Sequence, residues 1–314
     1  MAQLTIQIVG FNGEEHLQRA VAALRNIPPA EADVRYIDNA STDSSVEVVR
    51  SALPRADIIT RAVNTGYAGG HNIGFALCRT PFVLVHDQDV VIEWPGIKQL
   101  LEAFRDERVA AVQGKLYRSE SKVFDTAGIV QTLSLNGVDR GAIEEDRGQF
   151  DNEDEVFAAQ GACALYRMDA LREVAQTKEW TETEIPDVFD EDFFAYKEEV
   201  DLGWRLRNEG WRAAYRPIVA GYHARTLGKR GFLGWGFTPS VIRARVRSPR
   251  TRYSLRNYCW MIAKNASAGQ LAFHSPFIVA RLLVFFVLTL LYPPLFSVWR
   301  EAWQGIPRML AKRV

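Results

Sequence analysis

Apolar positions in the first hundred residues alternate between two rhythms. Leu4-Thr5-Ile6-Gln7-Ile8-Val9 is a short β-rich run, and Leu17, Val21 and Leu24 then recur at helical spacing within Glu14–Leu24. The pair repeats. Val34–Ile37 predicts a strand closing at Asp38, and residues 44–53 predict a helix. Ile58-Ile59 predicts a third strand, Gly74–Leu77 falls in the next helix, and Val83–Val85 predicts a fourth strand. Such alternation predicts a mostly parallel, Rossmann-like sheet flanked by helices, an α/β domain. Further on, Val156–Tyr166 reads as a strand interrupted at Gln160-Gly161, and Asp169–Ala175 as a helix. Phe189–Asn208 runs from an acidic stretch into a helix that stops at Gly210, and Tyr215–His223 reads as another strand. Open sheets bind ligands beyond the carboxyl ends of their strands. That rule selects Asp38–Asp43, the glycine-rich Asn64–Gly70 and Asp87-Gln88-Asp89.

The last third follows a different pattern. Leu282–Trp299 is an uncharged run of 18 residues, broken by Pro293-Pro294. A helix over Leu282–Tyr292 reaches only about 16 Å, half of a ~30 Å hydrocarbon core, which predicts shallow attachment rather than a span. Tyr292, Trp299 and Trp303 beside Arg300, Arg308, Lys312 and Arg313 match the composition of a bilayer interface. The 38 basic and 38 acidic residues balance overall, yet 15 of the bases and a single acid, Glu301, lie at or after Arg225. An acidic front with a basic tail argues against a nucleic-acid binder and for a tail that meets an anionic surface. The expected division is a catalytic domain over 1–224 and a basic, hydrophobic membrane-associating region over 225–314. Cys78, Cys163 and Cys259 have neither zinc nor disulfide spacing and read as reduced core residues. With no export signal visible before Leu4, the expected location is cytoplasmic, peripherally held at the inner face of the cell membrane.

Candidate chemistry rests on acids. Residues two apart on an extended chain point to the same side, so Asp87 and Asp89 aim at one point. Two carboxylates about 4 Å apart repel by roughly 4 kcal/mol at an effective dielectric of 20, which calls for a cation between them. Oxygen ligands with an incomplete protein shell suit Mg²⁺ or Mn²⁺, a diphosphate completing the coordination. Asn64–Gly70 lacks the Lys and Ser/Thr of a P-loop, which counts against a nucleoside triphosphatase. Asp38 is placed to accept a hydrogen bond from a base or ribose while Ser41 or Asp43 caps the next helix. Residues 144–155 are mostly acidic and read as a solvated loop. Glu198, Glu199 and Asp201 open a helix, and one of these acids is a candidate general base.

In their order along the chain, these segments resemble family 2 glycosyltransferases, in the branch that includes bacterial rhamnosyl- and galactofuranosyltransferases. The resemblance spans Leu4 to His223. It is carried by Ile8–Asn12 with Glu15-His16-Leu17, Asp38–Asp43, Asn64–Gly70 with Asn72, Asp87–Asp89, Gln160–Cys163, Phe189–Phe194, Glu198–Leu202 and the closing His223. It implies a GT-A fold and inverting, metal-dependent transfer from a nucleoside-diphosphate sugar, of dTDP-rhamnose or UDP-hexose type. The implied acceptor is a hydroxyl of a saccharide or lipid-linked acceptor in cell-envelope polysaccharide synthesis. By the same resemblance Gly10, Phe11, Asn12 and Asp38 hold base and ribose, and Asn64, Gly69 and Gly70 line the nucleotide. Glu15, Asn72, Gln88, Gln160 and Gly161 complete that site. Asp87, Asp89 and His223 face an Mn²⁺ or Mg²⁺ ion and the pyrophosphate, and Lys229 and Arg230 are further phosphate candidates. Glu199 stands at the position of the base, where Asp is common, with Asp201 as its rival. Two alternatives compete. A sugar-nucleotide pyrophosphorylase would need a basic glycine-rich loop where this chain has acidic Gly10–Glu15. An inactive sugar-nucleotide-binding subunit would not need the acids at 87, 89 and 199.

Overall fold

The computed structural model of the 314-residue chain describes residues 2–119, 121–177, 180, 185–224 and 247–313. The predicted alternation is present: β1 (Leu4–Gly10), α1 (Glu14–Leu24), β2 (Ala32–Asp38), α2 (Ser45–Ala52), β3 (Asp57–Thr60), α3 (Gly66–Leu77) and β4 (Phe82–Asp87). β1 is buried almost throughout because the sheet is covered on both faces. β5 (Val90–Ile92), α4 (Trp94–Leu101), β6 (Val109–Arg118) and β7 (Phe124–Thr126) follow, then a separate hairpin of β8 (Ile129–Gln131) and β9 (Gly137–Asp139). β10 (Glu155–Val156), β11 (Cys163–Arg167), α5 (Met168–Val174), α6 (Glu198–Asn208) and β12 (Arg212–His223) complete the body.

The main sheet runs β10-β12-β6-β11-β4-β1-β2-β3, with β5 on β12 and β7 on β6. β1 pairs in parallel with β2 and β4, while β11 lies antiparallel between β4 and β6, so the sheet is mixed. Register sets the site: Gly10 pairs with Asp38 and Val9 with Asp87, which aligns three strand ends at one edge.

Several expectations are corrected. The run Val156–Tyr166 is divided between two strands, because the break at Gln160-Gly161 is a connection between sheet positions. The glycine segment is the first turns of α3 rather than a loop, and within it only Gly66 takes positive φ (+76°). The acidic stretch 144–155 is not wholly solvated, since Asp146 is half-buried. Asp146 accepts hydrogen bonds from Lys115 Nζ (2.8 Å) and the Tyr117 hydroxyl.

Three helices end the chain: α7 (Pro249–Asn265), α8 (Ala268–Leu291) and α9 (Phe296–Ala311). α8 has 24 residues and extends about 36 Å, so the expected half-length helix is wrong. Arg281 does not end it because the guanidinium lies over the rings of Tyr258 (4.8 Å) and Phe285 (5.4 Å). Among the described residues α8 is the one helix long and apolar enough to cross a bilayer. Leu271, Ile278, Leu282, Phe285 and Leu288 pack it on its neighbours, whereas Phe273, Val284 and Leu291 are each more than 60% exposed.

The basic tail is also turned partly inward. Lys264 Nζ lies 2.8 Å from Asp190 and 2.9 Å from Asp201, and Lys312 Nζ is 2.6 Å from Asp190 and 3.0 Å from Asp192. Arg308 pairs with Asp192 at 2.9 Å. Tail cations thus neutralise acids of the body, which corrects the expectation of a tail directed only at an external surface. Arg225, Lys229, Arg230, Arg243 and Arg245 lie outside the described residues.

Candidate functional site

β4 ends at Asp87, and a two-residue turn, Gln88-Asp89, leads directly into β5. β5 pairs antiparallel with the end of β12, setting His223 opposite Val90 and therefore beside Asp89. One ligand atom from each of Asp87, Asp89 and His223 falls within 4.8 Å of the others. Convergence therefore arises from a turn and a strand pairing, not from two positions along one extended strand. His223 Nε2 is 3.1 Å from Asp89 Oδ1, and its Nδ1 is 2.8 Å from Asp125 Oδ2 on β7. Burial alone would lower the His223 pKa, but the hydrogen bonds to Asp125 and Asp89 carry it up to about 9. Burial would raise Asp89; the bond from His223 outweighs it and leaves that carboxyl low. Two carboxylates and an imidazole whose far nitrogen is fixed by a third carboxylate fit a divalent cation, with Asp125 orienting the ring.

The loop after β1 is tied to this turn. Phe11 N–H donates to Gln88 Oε1 (3.0 Å) and Gln88 Nε2 donates to the Phe11 carbonyl (3.2 Å). The Gln88 amide packs against Gly13, where a Cβ would lie 2.1 Å from Oε1 and would push the amide off these bonds. Asn12 N–H donates to Ser41 Oγ (2.9 Å), and Asn12 Oδ1 accepts from Thr42 N–H (2.8 Å). Asp38, buried, accepts from Ser41 N–H (3.1 Å). Asn39 accepts from Thr65 N–H (3.0 Å) and donates to the Gly66 carbonyl (2.8 Å), joining the loops after β2 and β3. Together these loops enclose a cleft of about 390 Å³ lined by Gly10, Phe11, Asn39, Asn64, Tyr67, Asp87 and Gln88.

A second cavity, about 570 Å³, shares Tyr67, Asp87, Asp89 and Tyr196 with the first. Its remaining wall includes Gln160, Gly161, Asp139, Lys197, Glu198, Glu199, His223 and Arg250. Tyr67 stands between the two cavities, its hydroxyl donating to the Gly161 carbonyl (2.8 Å). Burial and then the neighbouring Glu199 push the Glu198 carboxyl well above the usual range, and one of its oxygens has no hydrogen-bond partner among the described residues. Burial also raises Glu199, against the lowering effect of Lys197. Environments of this kind separate neighbouring acids into a proton holder and a proton acceptor.

Not every predicted residue reaches a cavity. Asp201 is fully buried; Arg205 Nε and Lys264 Nζ each contact its Oδ2 at 2.9 Å, and Asn265 Nδ2 donates to its Oδ1 (2.8 Å). It lies about 200° round α6 from Glu199, on the opposite side, and its role as rival base is corrected. Gly69 and Gly70 lie in α3 against Thr65 and Val9, the absent side chains making room for packing. Asn72 spends its amide on Phe189, donating to the carbonyl (2.8 Å) and accepting from the N–H (2.9 Å). Glu15 is exposed on α1 and lines neither cavity, and neither do Asn12 and Asp38, whose bonds run to the Ser41-Thr42 loop, which corrects their expected contact with base and ribose. Sequence reasoning missed Tyr67, Asp125, Asp139, Tyr196, Lys197 and Arg250. Only Tyr67 carried a local signal, as an aromatic inside a glycine-rich segment.

A curated relative, the N-acetylglucosaminyl-diphospho-decaprenol L-rhamnosyltransferase of Mycobacterium tuberculosis, is 26% identical over 246 residues, 70% of this chain and 75% of its own. The pre-mycofactocin glycosyltransferase of the same organism is 26% identical over 76% of this chain and 48% of its own. Among solved structures, S. aureus TarS 1–349 aligns with a TM-score of 0.56 at 16% identity, over 100% of this chain and 83% of that one. GalNAc-T7, solved with UDP, GalNAc and Mn²⁺, gives 0.59 at 12% identity, over 83% and 48%. Both likenesses show the GT-A fold. The model of Glycosyl transferase family 2 matches residues 5–175, more than half of the sequence. The chain therefore belongs to glycosyl transferase family 2 and is a glycosyltransferase acting on nucleotide sugars.

Proposed function

We propose that the protein transfers a sugar with inversion from a nucleoside-diphosphate sugar to a hydroxyl of a saccharide or lipid-linked acceptor in cell-envelope polysaccharide synthesis. One observation carries this reading. The two cavities meet at Asp87, Asp89 and Tyr67, with a possible cation site on the shared wall and an acid pair, Glu198 and Glu199, in the second cavity. Gly10, Phe11, Asn64 and Gln88 line the donor nucleotide's cleft, with Asp38 and Asn12 holding its loops. Gln160 and Gly161 border the sugar in the larger cavity. Asp87, Asp89 and His223 would hold Mn²⁺ or Mg²⁺, which when bound would offset the charge gathering on the departing diphosphate. Glu199 takes the proton of the attacking hydroxyl, while Glu198 keeps its own proton and orients that hydroxyl. A single displacement needs no more than this.

The relatives support the choice of chemistry: the M. tuberculosis enzyme's name specifies a lipid-linked diphospho-sugar acceptor and a rhamnosyl group, and TarS was solved with UDP-GlcNAc. The bare face of α8 supports peripheral contact with the inner face of the membrane, residues 1–224 forming the catalytic body and 225–314 the associating region. Purified protein assayed against a panel of dTDP-, UDP- and GDP-sugars should release nucleoside diphosphate only with Mn²⁺ or Mg²⁺ present. Equal turnover in chelator, or pyrophosphate-dependent formation of nucleoside triphosphate, would overturn the reading.

A further inference from the structure

The segment that delivers Glu199 is bent into conformations that its residues disfavour. Phe194, Tyr196 and Lys197 all have positive φ (+64°, +70° and +79°), and none is glycine. Phe194 is the centre of a γ-turn, closed by Ala195 N–H on the Phe193 carbonyl at 2.7 Å, and its φ and ψ (+64°, −58°) are those of the rare, strained hand. Such residues are strained and persist only where their surroundings over-determine them. The same residues line the cavities: Phe194 and Tyr196 border the smaller one, and Ala195 through Glu199 the larger.

Side chains from outside residues 1–224 hold this turn, Asn257 foremost among them. Asn257 of α7 is completely buried, and its amide nitrogen lies 3.0, 2.9 and 2.7 Å from the carbonyl oxygens of Phe193, Ala195 and Tyr196. Its Oδ1 accepts from Arg256 Nε at 3.0 Å, and Arg256 NH2 donates to the carbonyls of Asp192 and Phe193, both at 3.0 Å. Five contacts thus reach the carbonyls of residues 192, 193, 195 and 196, while that of Phe194 accepts from Ala68 N–H (3.2 Å). Tyr253, one turn earlier on α7, stacks on Phe194 at 5.4 Å.

We infer that Asn257, braced by Arg256, is a positioning residue for catalysis: it holds the 193–197 turn in the strained form that presents Glu199 to the acceptor. The inference rests on the reading of Glu199 as the base. Without the Asn257 amide, the carbonyls it meets lose that donor and the turn relaxes, moving the carboxylate away from the attacking hydroxyl. Misplacement by about 1 Å is enough to cost roughly 100-fold in rate. Most of the donor cleft is built by the loops after β1, β2 and β3 and by the Asp87–Asp89 turn, with only Phe194 and Tyr196 supplied by the strained segment, so donor binding should change little.

The test compares Asn257→Ala, Asn257→Ser, Glu199→Gln and the double variant Asn257→Ala/Glu199→Gln in the full chain. Turnover is read as Mn²⁺-dependent release of nucleoside diphosphate from the best donor of the panel, binding by titration with UDP and dTDP in Mn²⁺, and folding by thermal unfolding. Expected is a ~10- to 100-fold fall in kcat for Asn257→Ala, a smaller fall for Asn257→Ser, and nucleotide affinity within about threefold of the parent. In the Glu199→Gln background Asn257→Ala should add almost nothing, since both act through one carboxylate. Unchanged kcat in a folded Asn257 variant overturns the inference. So does a loss that multiplies in the double variant, or one that follows nucleotide affinity or unfolding. Full turnover in Glu199→Gln alone instead removes the base reading itself, whatever Asn257 does.

Discussion

Two groups of acids, built from the same residue types, converge near the start of α6. Asp87, Asp89, Glu198 and Glu199 line cavities. Asp187, Asp190, Asp192 and Asp201 are met by Lys264, Lys312, Arg205 and Arg308, most of the contacts at 2.6–3.0 Å. The second group is met by lysines and arginines, whereas in the first Asp89 has His223 and Glu199 has the lowering effect of Lys197. An acid whose counter-charge is built in is part of the fold; an acid cluster left open to a cavity awaits a cation or a proton from outside. The difference shows in titration at two buried pairs, although burial and Asp190 raise Asp187 in the closed group and, against burial, His223 lowers Asp89 in the open one. Asp190 and Asp201 are buried, which would raise them, yet Lys264 brings both below the usual range. Glu198 and Glu199 are buried without equivalent compensation and are raised.

The comparison is broken most directly at the open cluster. Asp89→Ala removes one carboxylate of the cation site, and turnover should fall about 1,000-fold or more, several kcal/mol of charge stabilisation being lost. Calorimetric titration with Mn²⁺ should show the ion's affinity falling in parallel; unaltered Mn²⁺ binding in this variant would separate Asp89 from the site. Glu199→Gln should cost roughly 100- to 10,000-fold in turnover, the usual range for a general base, while UDP or dTDP still binds. At the closed cluster the effect moves from rate to folding. Lys264→Met leaves Asp190 and Asp201 without their shared ammonium, and breaking a buried pair costs about 3–5 kcal/mol. Urea unfolding would measure that loss, and a variant as stable as the parent would show that Lys312 and Arg205 suffice.

The contrast also explains what could be read from the chain alone. Strand ends carrying Asp38 and Asp87 were legible because β-rich runs and helical spacing are local. The choice between Glu199 and Asp201 was not. They are two residues apart in one acidic run, and what separates them is Lys264, 63 residues beyond Asp201 and set against it by α7. Asp125 was equally hidden, its role fixed by β7 bringing it beside His223 across 98 positions. Gly69 and Gly70 read as ligand-facing because glycine marks any close approach; here the close neighbours are Thr65 and Val9 of the chain itself. The length of α8 is not legible from the uncharged run Leu282–Trp299, because Arg281 just before it stays within the helix with aromatic rings over its charge. Replacing exposed Leu283 and Val287 of that helix by Glu should move the protein from vesicle-bound to free in flotation assays; persistent flotation would assign the membrane contact elsewhere.

The smallest effect tests the comparison from the side of stability. For Asp201 the folded value lies below the unfolded one, so its contribution is present above the ordinary carboxylate range and lost as the pH falls through the lowered value. For Glu199 the order is reversed. Its folded value is raised, so the native state binds the proton more tightly than the unfolded chain, and stability declines as the pH rises through the interval between the two values. Glu199→Gln carries no charge to desolvate and should therefore unfold at a slightly higher urea midpoint than the parent at neutral pH. That gain should vanish once the pH drops below the ordinary glutamate value. Asp201→Asn should behave oppositely, less stable than the parent at neutral pH and approaching it only in strong acid. Matching pH profiles for the two variants would mean that both acids are structural and that the open cluster is not distinct from the closed one.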